Sequence, residues 1–266
     1  HVEPAAGVGE VDDHAMFGLD HLNVFPRFKS GDSVIATSYD IGVAHDGGYA
    51  EYVIARASLV VKIPDSLPFE QAAIIPDAVS TPWAAISTTA RMKAGERAAV
   101  FGTGGLGIHA VQLLKMIGCE VIAIDPRADA REKAHEIGAS HAFDPSDPEL
   151  KKFRGLNAAF DFAGVSAVRK QALSLLGEAG RLVIVGIANE PITIPNDMAF
   201  TYMRTQILGH YGSEPEHPRQ LVDFVASGKL DLSRSISDVL PLDSAREALK
   251  RLESKIGNPI RIVLKP

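Results

Sequence analysis

Short apolar runs alternate with amphipathic stretches through the middle of this chain. Strand-like runs separated by helix-like stretches are typical of a parallel sheet that is covered by helices on both faces. The spacing of apolar residues predicts strands at 98–102, 121–125, 141–143, 158–162, 181–186 and 206–211. It predicts helices at 107–117, 128–138 and 165–177, the last of which is stopped by the glycines of 177–180. The pattern therefore favours an α/β fold with a doubly wound parallel sheet.

The flanking regions have a different pattern. Residues 28–64 contain short strand-like runs interrupted by Gly and Pro, including 33–36 and 49–54, and this favours a small antiparallel β unit. Near the end of the chain, the pattern predicts a helix at 243–253 and a closing strand at 260–264. These flanks are therefore expected to form a unit separate from the parallel sheet.

Length and composition are compatible with two domains. The chain has 266 residues, of which 46% are hydrophobic and 23% are charged, as in ordinary globular proteins. We expect one domain at 78–211 to be inserted into a second domain that is formed by 1–77 and 212–266.

Charge and cysteine content exclude several classes of function. The net charge is −6 and the basic residues are scattered, which argues against a nucleic-acid partner or an anionic membrane partner. No apolar run approaches the ~18 residues of a membrane span. Cys119 is the single cysteine, so the sequence allows no internal disulfide and no zinc site built from several thiolates. We expect a cytoplasmic protein.

The strongest motif is a glycine-rich turn between the first predicted strand and the first predicted helix of the sheet domain. Gly102 allows a tight turn, Gly104 lets the backbone approach a pyrophosphate, and Gly107 lets the helix pack against the strand. The helix N-terminus then offers amide groups and a positive dipole end to the phosphates. This motif predicts a dinucleotide-binding site. Its residues are Gly102, Thr103, Gly104, Gly105, Leu106 and Gly107.

An acidic residue at the end of the next predicted strand bears on the choice of cofactor. Asp125 follows Gly107 at close to the spacing of about 20 residues at which a carboxylate bonds the ribose 2′-hydroxyl. Because a 2′-phosphate would be repelled there, the sequence favours NAD over NADP. Arg127 weakens this preference, since its guanidinium could pair with a 2′-phosphate.

Together with several other segments, the glycine motif makes the chain resemble the medium-chain dehydrogenase/reductase superfamily. The segments that carry the resemblance are 28–34, 46–52, 75–81, 161–164 and 180–186. The resemblance extends from about Phe28 to Pro266 and implies a Rossmann domain inserted into a GroES-like β-barrel catalytic domain. That barrel is expected to be partial, because members of the zinc-type alcohol dehydrogenase branch extend further at the N-terminus.

The alcohol dehydrogenase branch holds a catalytic zinc ion, and the resemblance implies roles for residues around it. Asp77 resembles the third zinc ligand, an oxygen donor at roughly 2.0–2.2 Å from the metal. His1, in a segment that resembles the family's Gly-His-Glu, is a candidate for another ligand. Thr81 resembles a threonine that lies against the nicotinamide. The family's cysteine ligand has no counterpart here, and Asp77 could instead cap a helix that begins near Ser80.

The same resemblance places further residues around the cofactor. It assigns Phe162, Ala163, Gly186 and Ile187 to the cofactor cleft, the last two on the nicotinamide side. Arg261 resembles an arginine that binds the pyrophosphate, although a surface residue at this strand position would need no function. The strand at 206–211 resembles the edge strand through which relatives pair, which implies a homodimer or homotetramer.

The function that the resemblance implies is reversible hydride transfer between NAD and a small alcohol, with an aldehyde or ketone as the oxidised partner. A zinc-free quinone or enoyl reductase of the same superfamily is one alternative, since 39–48 resembles that branch equally well. A dinucleotide-binding protein without catalysis is another, because the family's N-terminal portion carries much of the catalytic apparatus. The substrate itself stays open.

Overall fold

The computed structural model describes residues 28–29, 31–37, 41–42, 44–255 and 257–266. The chain divides into two compact units. The first comprises the described residues up to Ser80 together with Glu214–Pro266, and the second comprises Thr81–Ser213. The second unit contains one large sheet, and the described part of the first contains two small ones.

Strands and helices alternate along the second unit and are sparser in the first. The strands are β1 (Val34–Ala36), β2 (Val60–Lys62), β3 (Arg97–Phe101), β4 (Glu120–Ile124), β5 (His141–Phe143), β6 (Leu156–Asp161), β7 (Leu176–Ile184), β8 (Gln206–Gly209), β9 (Ile236–Pro241) and β10 (Arg261–Lys265). The α-helices are α1 (Phe69–Ala73), α2 (Ser80–Ala84), α3 (Gly107–Met116), α4 (Ala128–Ile137), α5 (Ser166–Leu175), α6 (Asp197–Tyr202), α7 (Glu216–Ala226) and α8 (Ala245–Ser254). The π-helical turns Ile75–Val79 and Ala85–Thr89 flank α2, and short 3-10 helices lie at Ala57–Leu59, Pro148–Lys152, Ser233–Ser235 and Leu242–Ser244.

The second unit is built on a six-stranded parallel sheet in the order β5-β4-β3-β6-β7-β8. Ala98 of β3 lies opposite Val121 of β4 on one side and Ala158 of β6 on the other. The sheet side chains are buried on both faces, among them Phe101 and Ile122 in the main hydrophobic cluster. Strands buried on both faces need apolar side chains on both, which explains the continuous apolar runs in the sequence. The predicted α/β fold with a doubly wound parallel sheet is confirmed.

β7 begins earlier than the sequence predicts. The pattern indicates a helix stop at 177–180, whereas β7 begins at Leu176 and runs through this segment. The pairing of β7 with β6 shifts register here, so 177–180 form a bulge. Ala179 has a φ of 54°, and a Cβ atom at Gly180 would lie 2.8 Å from the Leu176 Cβ. α5 ends at Leu175, so the helix stops close to the predicted place, and the glycines that follow belong to a strand bulge.

Among the described residues of the first unit, β1 pairs with β2 in antiparallel fashion and β9 pairs with β10 in parallel. The antiparallel pair and the closing strand agree with the sequence pattern. The run predicted at 49–54 is not a continuous strand, because Tyr52 forms a single β-bridge and the other residues of the segment form bends or no regular structure. Apolar alternation alone does not show whether a run pairs along its whole length or only at one residue.

Sequence analysis also misses β9 and α7. Proline obscures both, since Pro241 ends β9 and Pro218 lies in the first turn of α7, where a missing amide proton is tolerated. α7 buries His217, Pro218 and Leu221 and contacts the π-helical turn Ile75–Val79. No helix in the described part of the chain has the length and apolarity that a membrane span requires.

Candidate cofactor-binding site

The glycine-rich turn lies between β3 and α3, as the sequence predicts. Gly102 has a φ of 83° and its amide donates to the Ile124 carbonyl at 2.8 Å. A Cβ atom at Gly107 would lie 1.8 Å from the Gly102 carbonyl oxygen, so the approach of α3 to β3 requires glycine there. A Cβ atom at Gly104 would meet nothing within 4 Å. Nothing in the protein therefore requires a glycine at 104, whereas a ligand that approaches the backbone would.

Asp125 lies directly after β4 and is buried. Its Oδ2 accepts hydrogen bonds from the Thr103 amide at 2.9 Å and the Thr103 hydroxyl at 3.3 Å. Its Oδ1 accepts from the Arg127 amide at 3.0 Å and from Arg127 Nε at 3.2 Å. The carboxylate thus joins the glycine-rich turn to the start of α4, and Arg131 fixes the same strand end by donating to the Asp125 carbonyl at 2.8 Å.

The environment of Asp125 keeps its side chain charged. Burial acts to raise the pKa of Asp125, but the hydrogen bonds from Arg127 and Thr103 outweigh burial and leave this pKa below its ordinary value. The end of β4 therefore carries a permanent negative charge at neutral pH, with the Arg127 guanidinium beside it.

A buried ion pair organises the neighbouring strand ends. Arg169 of α5 donates from Nε to the Asp161 Oδ2 at 3.0 Å, and the exposed fractions of the two side chains are 5% and 0%. Asp161 Oδ1 accepts from the amides of Ala163 and Gly164 at 3.0 and 2.9 Å. Arg169 Nη2 also donates to the Gly186 carbonyl at 3.2 Å. Two charged side chains thus hold the segment after β6 against the segment after β7.

These two segments contain the four residues that sequence analysis assigns to the cofactor cleft. The Phe162 amide donates to the Phe101 carbonyl at 2.9 Å, which places 162–163 beside the end of β3. A Cβ atom at Gly186 would lie 2.3 Å from the Gly164 amide nitrogen, so these backbones touch. The Ile187 side chain is largely exposed. The structure therefore brings Phe162, Ala163, Gly186 and Ile187 to the same end of the sheet as the glycine-rich turn.

Thr81 is buried and is connected to the far edge of the sheet. His210, the residue that follows β8, lies with its Nε2 3.1 Å from the Thr81 carbonyl oxygen and its Nδ1 2.8 Å from the Thr89 hydroxyl. A carbonyl only accepts hydrogen bonds, so the proton of the neutral imidazole is on Nε2 and Thr89 donates to Nδ1. The histidine therefore links both ends of the helical segment 81–89.

Asp77 lies in the first unit, inside the π-helical turn Ile75–Val79 and exposed. α2 begins three residues later, at Ser80, so Asp77 lies in a helical turn that leads directly into α2. Burial lowers the pKa of Arg261, and the charges of Asp77 and Tyr49 oppose this shift. Asp77 and Arg261 thus share one electrostatic environment, and π-helical turns are frequent at functional sites.

Of the two candidate zinc ligands, the structure describes Asp77, whereas His1 lies outside the described residues. Within the part of the chain that the structure describes, no group of three or more His, Cys, Asp or Glu side chains could hold a metal ion. Catalytic zinc requires three protein ligands, so the described residues alone do not form such a site.

Sequence analysis misses Arg169 and His210. Arg169 is an arginine on the buried side of a helix, a position at which a charged side chain needs a partner. That signal is visible only once the buried face of α5 is known. His210 carries no local signal, since its partners lie 121 and 129 residues earlier in the chain.

Comparison with known proteins shows which family this chain resembles. The family model described as "Zinc-binding dehydrogenase" matches residues 105–227. An alcohol dehydrogenase from Geobacillus stearothermophilus is 35% identical over 97% of this chain and 81% of its own length.

Solved structures show the same fold. The alcohol dehydrogenase from Aeropyrum pernix matches with a TM-score of 0.78 and 28% identity, over 98% of this chain and 80% of that one. A short chain alcohol dehydrogenase from Escherichia coli, complexed with NADH, matches with a TM-score of 0.78 and 23% identity, over 85% and 68% of the two chains. The chain therefore belongs to the zinc-binding dehydrogenase family of alcohol dehydrogenase homologues.

Proposed function

We propose that this protein binds NAD and catalyses reversible hydride transfer between a small alcohol and the corresponding aldehyde or ketone. The observation that carries the proposal is the glycine-rich turn, in which Gly102 and Gly107 are required by packing and Gly104 is open. A pyrophosphate fits against that open backbone, at the N-terminus of α3.

The chemistry divides between cofactor and protein. When bound, NAD would supply the acceptor for the hydride, with its two electrons, from the carbinol carbon, and the hydroxyl proton would leave to solvent. The glycine-rich turn would hold the pyrophosphate, Gly186 and Ile187 would lie on the nicotinamide side of the cleft, and Thr81 would position the ring. Arg261 supplies a further charge for the phosphates. Holding the carbinol carbon at the nicotinamide is the main contribution of such a site.

The negative charge of Asp125 favours NAD over NADP as the cofactor. Its charged carboxylate stands where the adenosine ribose is expected, and a hydroxyl can donate to it while a phosphate is repelled. Arg127 bonds to that carboxylate, so its guanidinium is partly neutralised as a phosphate ligand.

The family's zinc ion has no complete ligand set among the described residues. Asp77 and His1 remain proposed ligands. Metal analysis of the purified protein, with Asp77→Asn as the comparison, tests this pair: unchanged zinc content in the variant would remove Asp77 from the ligand set.

Cofactor titration and turnover test the proposed function. We expect NADH fluorescence to change on binding, and a panel of primary and secondary alcohols to reduce NAD at one or more members. Turnover with quinones or enones and NADPH, but not with alcohols, would favour a reductase instead. Tight NADH binding without any turnover would indicate a binding protein, and absence of dinucleotide binding would overturn the proposal.

We propose that a second copy of the chain pairs along β8. This strand is at the edge of the sheet, and exposed aromatic side chains flank it, with Tyr202 85% and Tyr211 82% exposed. Open strand edges beside apolar surface favour pairing. Light scattering should show a dimer or tetramer that Tyr202→Glu with Tyr211→Glu weakens, while Tyr52→Glu in the first unit leaves the mass unchanged. An unchanged mass in the double variant would place the interface elsewhere.

A further inference from the structure

We propose that His210 is a positioning residue for the nicotinamide, acting through the Thr81 carbonyl. This inference rests on the proposed function, since it assumes that Thr81 lies against the nicotinamide ring. Thr81 belongs to α2, which is only five residues long and is followed by the π-helical turn Ala85–Thr89. The helical run Ser80–Thr89 changes from α to π geometry at Ala85, so its backbone hydrogen bonding is irregular and contacts from neighbouring elements help to fix its position.

His210 provides such a contact at both ends of the segment 81–89. Its Nε2 donates to the Thr81 carbonyl at 3.1 Å, and its Nδ1 accepts from the Thr89 hydroxyl at 2.8 Å. The histidine is itself fixed by the sheet, because its amide donates to the Ile184 carbonyl of β7 at 2.9 Å. His210 thereby joins the Thr81 carbonyl to β7.

The two imidazole contacts have separable consequences. The Nε2 bond fixes Thr81, the residue that would meet the nicotinamide, whereas the Nδ1 bond fixes the end of the segment at Thr89. A role of His210 in nicotinamide binding would therefore depend on the Nε2 hydrogen bond. Glutamine places an amide nitrogen near the Nε2 position, and asparagine places an amide oxygen near the Nδ1 position.

The test compares His210→Gln with His210→Asn, using NADH and ADP-ribose as probes. ADP-ribose carries the adenosine and pyrophosphate but lacks the nicotinamide. We expect His210→Asn to raise the Kd of NADH about three- to tenfold, the effect of one lost hydrogen bond, and to leave the Kd of ADP-ribose unchanged. His210→Gln should stay within about twofold of the wild type for both ligands, because it retains the donor to Thr81.

Tryptophan fluorescence provides a second measurement. Trp83 is the single tryptophan and lies two residues after Thr81, so its quenching by bound NADH reports on this segment. We expect the quenching at saturation to change in His210→Asn and not in His210→Gln. Lys170→Gln, at an exposed position of α5, serves as the control and should resemble the wild type.

Three outcomes would overturn the inference. Equal effects of glutamine and asparagine on NADH would show that the donor to Thr81 is not the determinant. A parallel loss of ADP-ribose affinity would show a general structural defect. If the wild type binds ADP-ribose but the variants leave NADH affinity unchanged, the positioning role is wrong and the proposed function stands, whereas failure of the wild type to bind either probe removes both.

Discussion

Arg169 and Asp161 form an ion pair at 3.0 Å that water does not reach. We expect Arg169→Met to lower the free energy of unfolding by about 3–5 kcal/mol, because it leaves the Asp161 carboxylate buried without its charged partner. Asp161→Asn combined with Arg169→Met removes both charges and should be less destabilised than Arg169→Met alone. Denaturant unfolding measures both variants. A double variant that is less stable than the single one would show that the carboxylate is stabilised mainly by the amides of Ala163 and Gly164.

The glycine-rich turn allows a paired test of fold and function. Gly107→Ala should strongly destabilise the protein, since its methyl group would stand 1.8 Å from the Gly102 carbonyl oxygen. Gly104→Ala should change the free energy of unfolding by less than about 0.5 kcal/mol, because its methyl group meets no protein atom within 4 Å. We expect Gly104→Ala nevertheless to weaken NADH binding about tenfold or more, as measured by fluorescence titration. Unchanged NADH affinity in Gly104→Ala would place the pyrophosphate elsewhere.

Cofactor choice should respond to the charge at the end of β4. Asp125→Asn removes the negative charge and keeps most of the side chain's shape. We expect the ratio of kcat/KM for NADP to that for NAD to rise at least about tenfold, because a 2′-phosphate no longer meets a like charge. Glu120→Gln, at the opposite end of β4, is the matched control and should leave the ratio unchanged. Equal ratios in the wild type and Asp125→Asn would show that Asp125 serves the turn alone.

The Cys119 thiol makes the free energy of unfolding depend on pH in the alkaline range. Burial, reinforced by Glu96 and partly opposed by Arg181, raises the pKa of the Cys119 thiol from 9.0 to about 11. The folded state therefore favours the neutral thiol, and this contribution is fully present below pH 9 and lost as the pH rises through 11. We expect Tm to fall more steeply over that range in the wild type than in Cys119→Ala, which lacks the group. Parallel Tm curves would show that the thiol ionises equally in both states.

Local patterns explain why the sheet and the glycine-rich turn could be predicted from the sequence. Buried parallel strands need continuous apolar runs, and a tight turn under a helix needs glycine at set positions, so both leave short-range signals. Arg169 and His210 leave none, because their roles depend on partners brought together by the tertiary fold. The bulge at 177–180 was hidden for a related reason, since glycines end helices and form bulges alike. The run at 49–54 is reduced to a single β-bridge at Tyr52, because alternation alone does not show how far a strand pairs.

The position of His210 has a consequence for the dependence of cofactor affinity on protein concentration. The histidine directly follows β8, the strand on which a second copy is proposed to pair, and its donor hydrogen bond ends on Thr81. Pairing of two copies along β8 would hold His210, and through it Thr81, in the position that binds the nicotinamide. By thermodynamic linkage, NADH binding would strengthen association to the same degree. Dilution should therefore raise the apparent Kd of NADH, and saturating NADH should shift the dissociation of the oligomer to lower protein concentration.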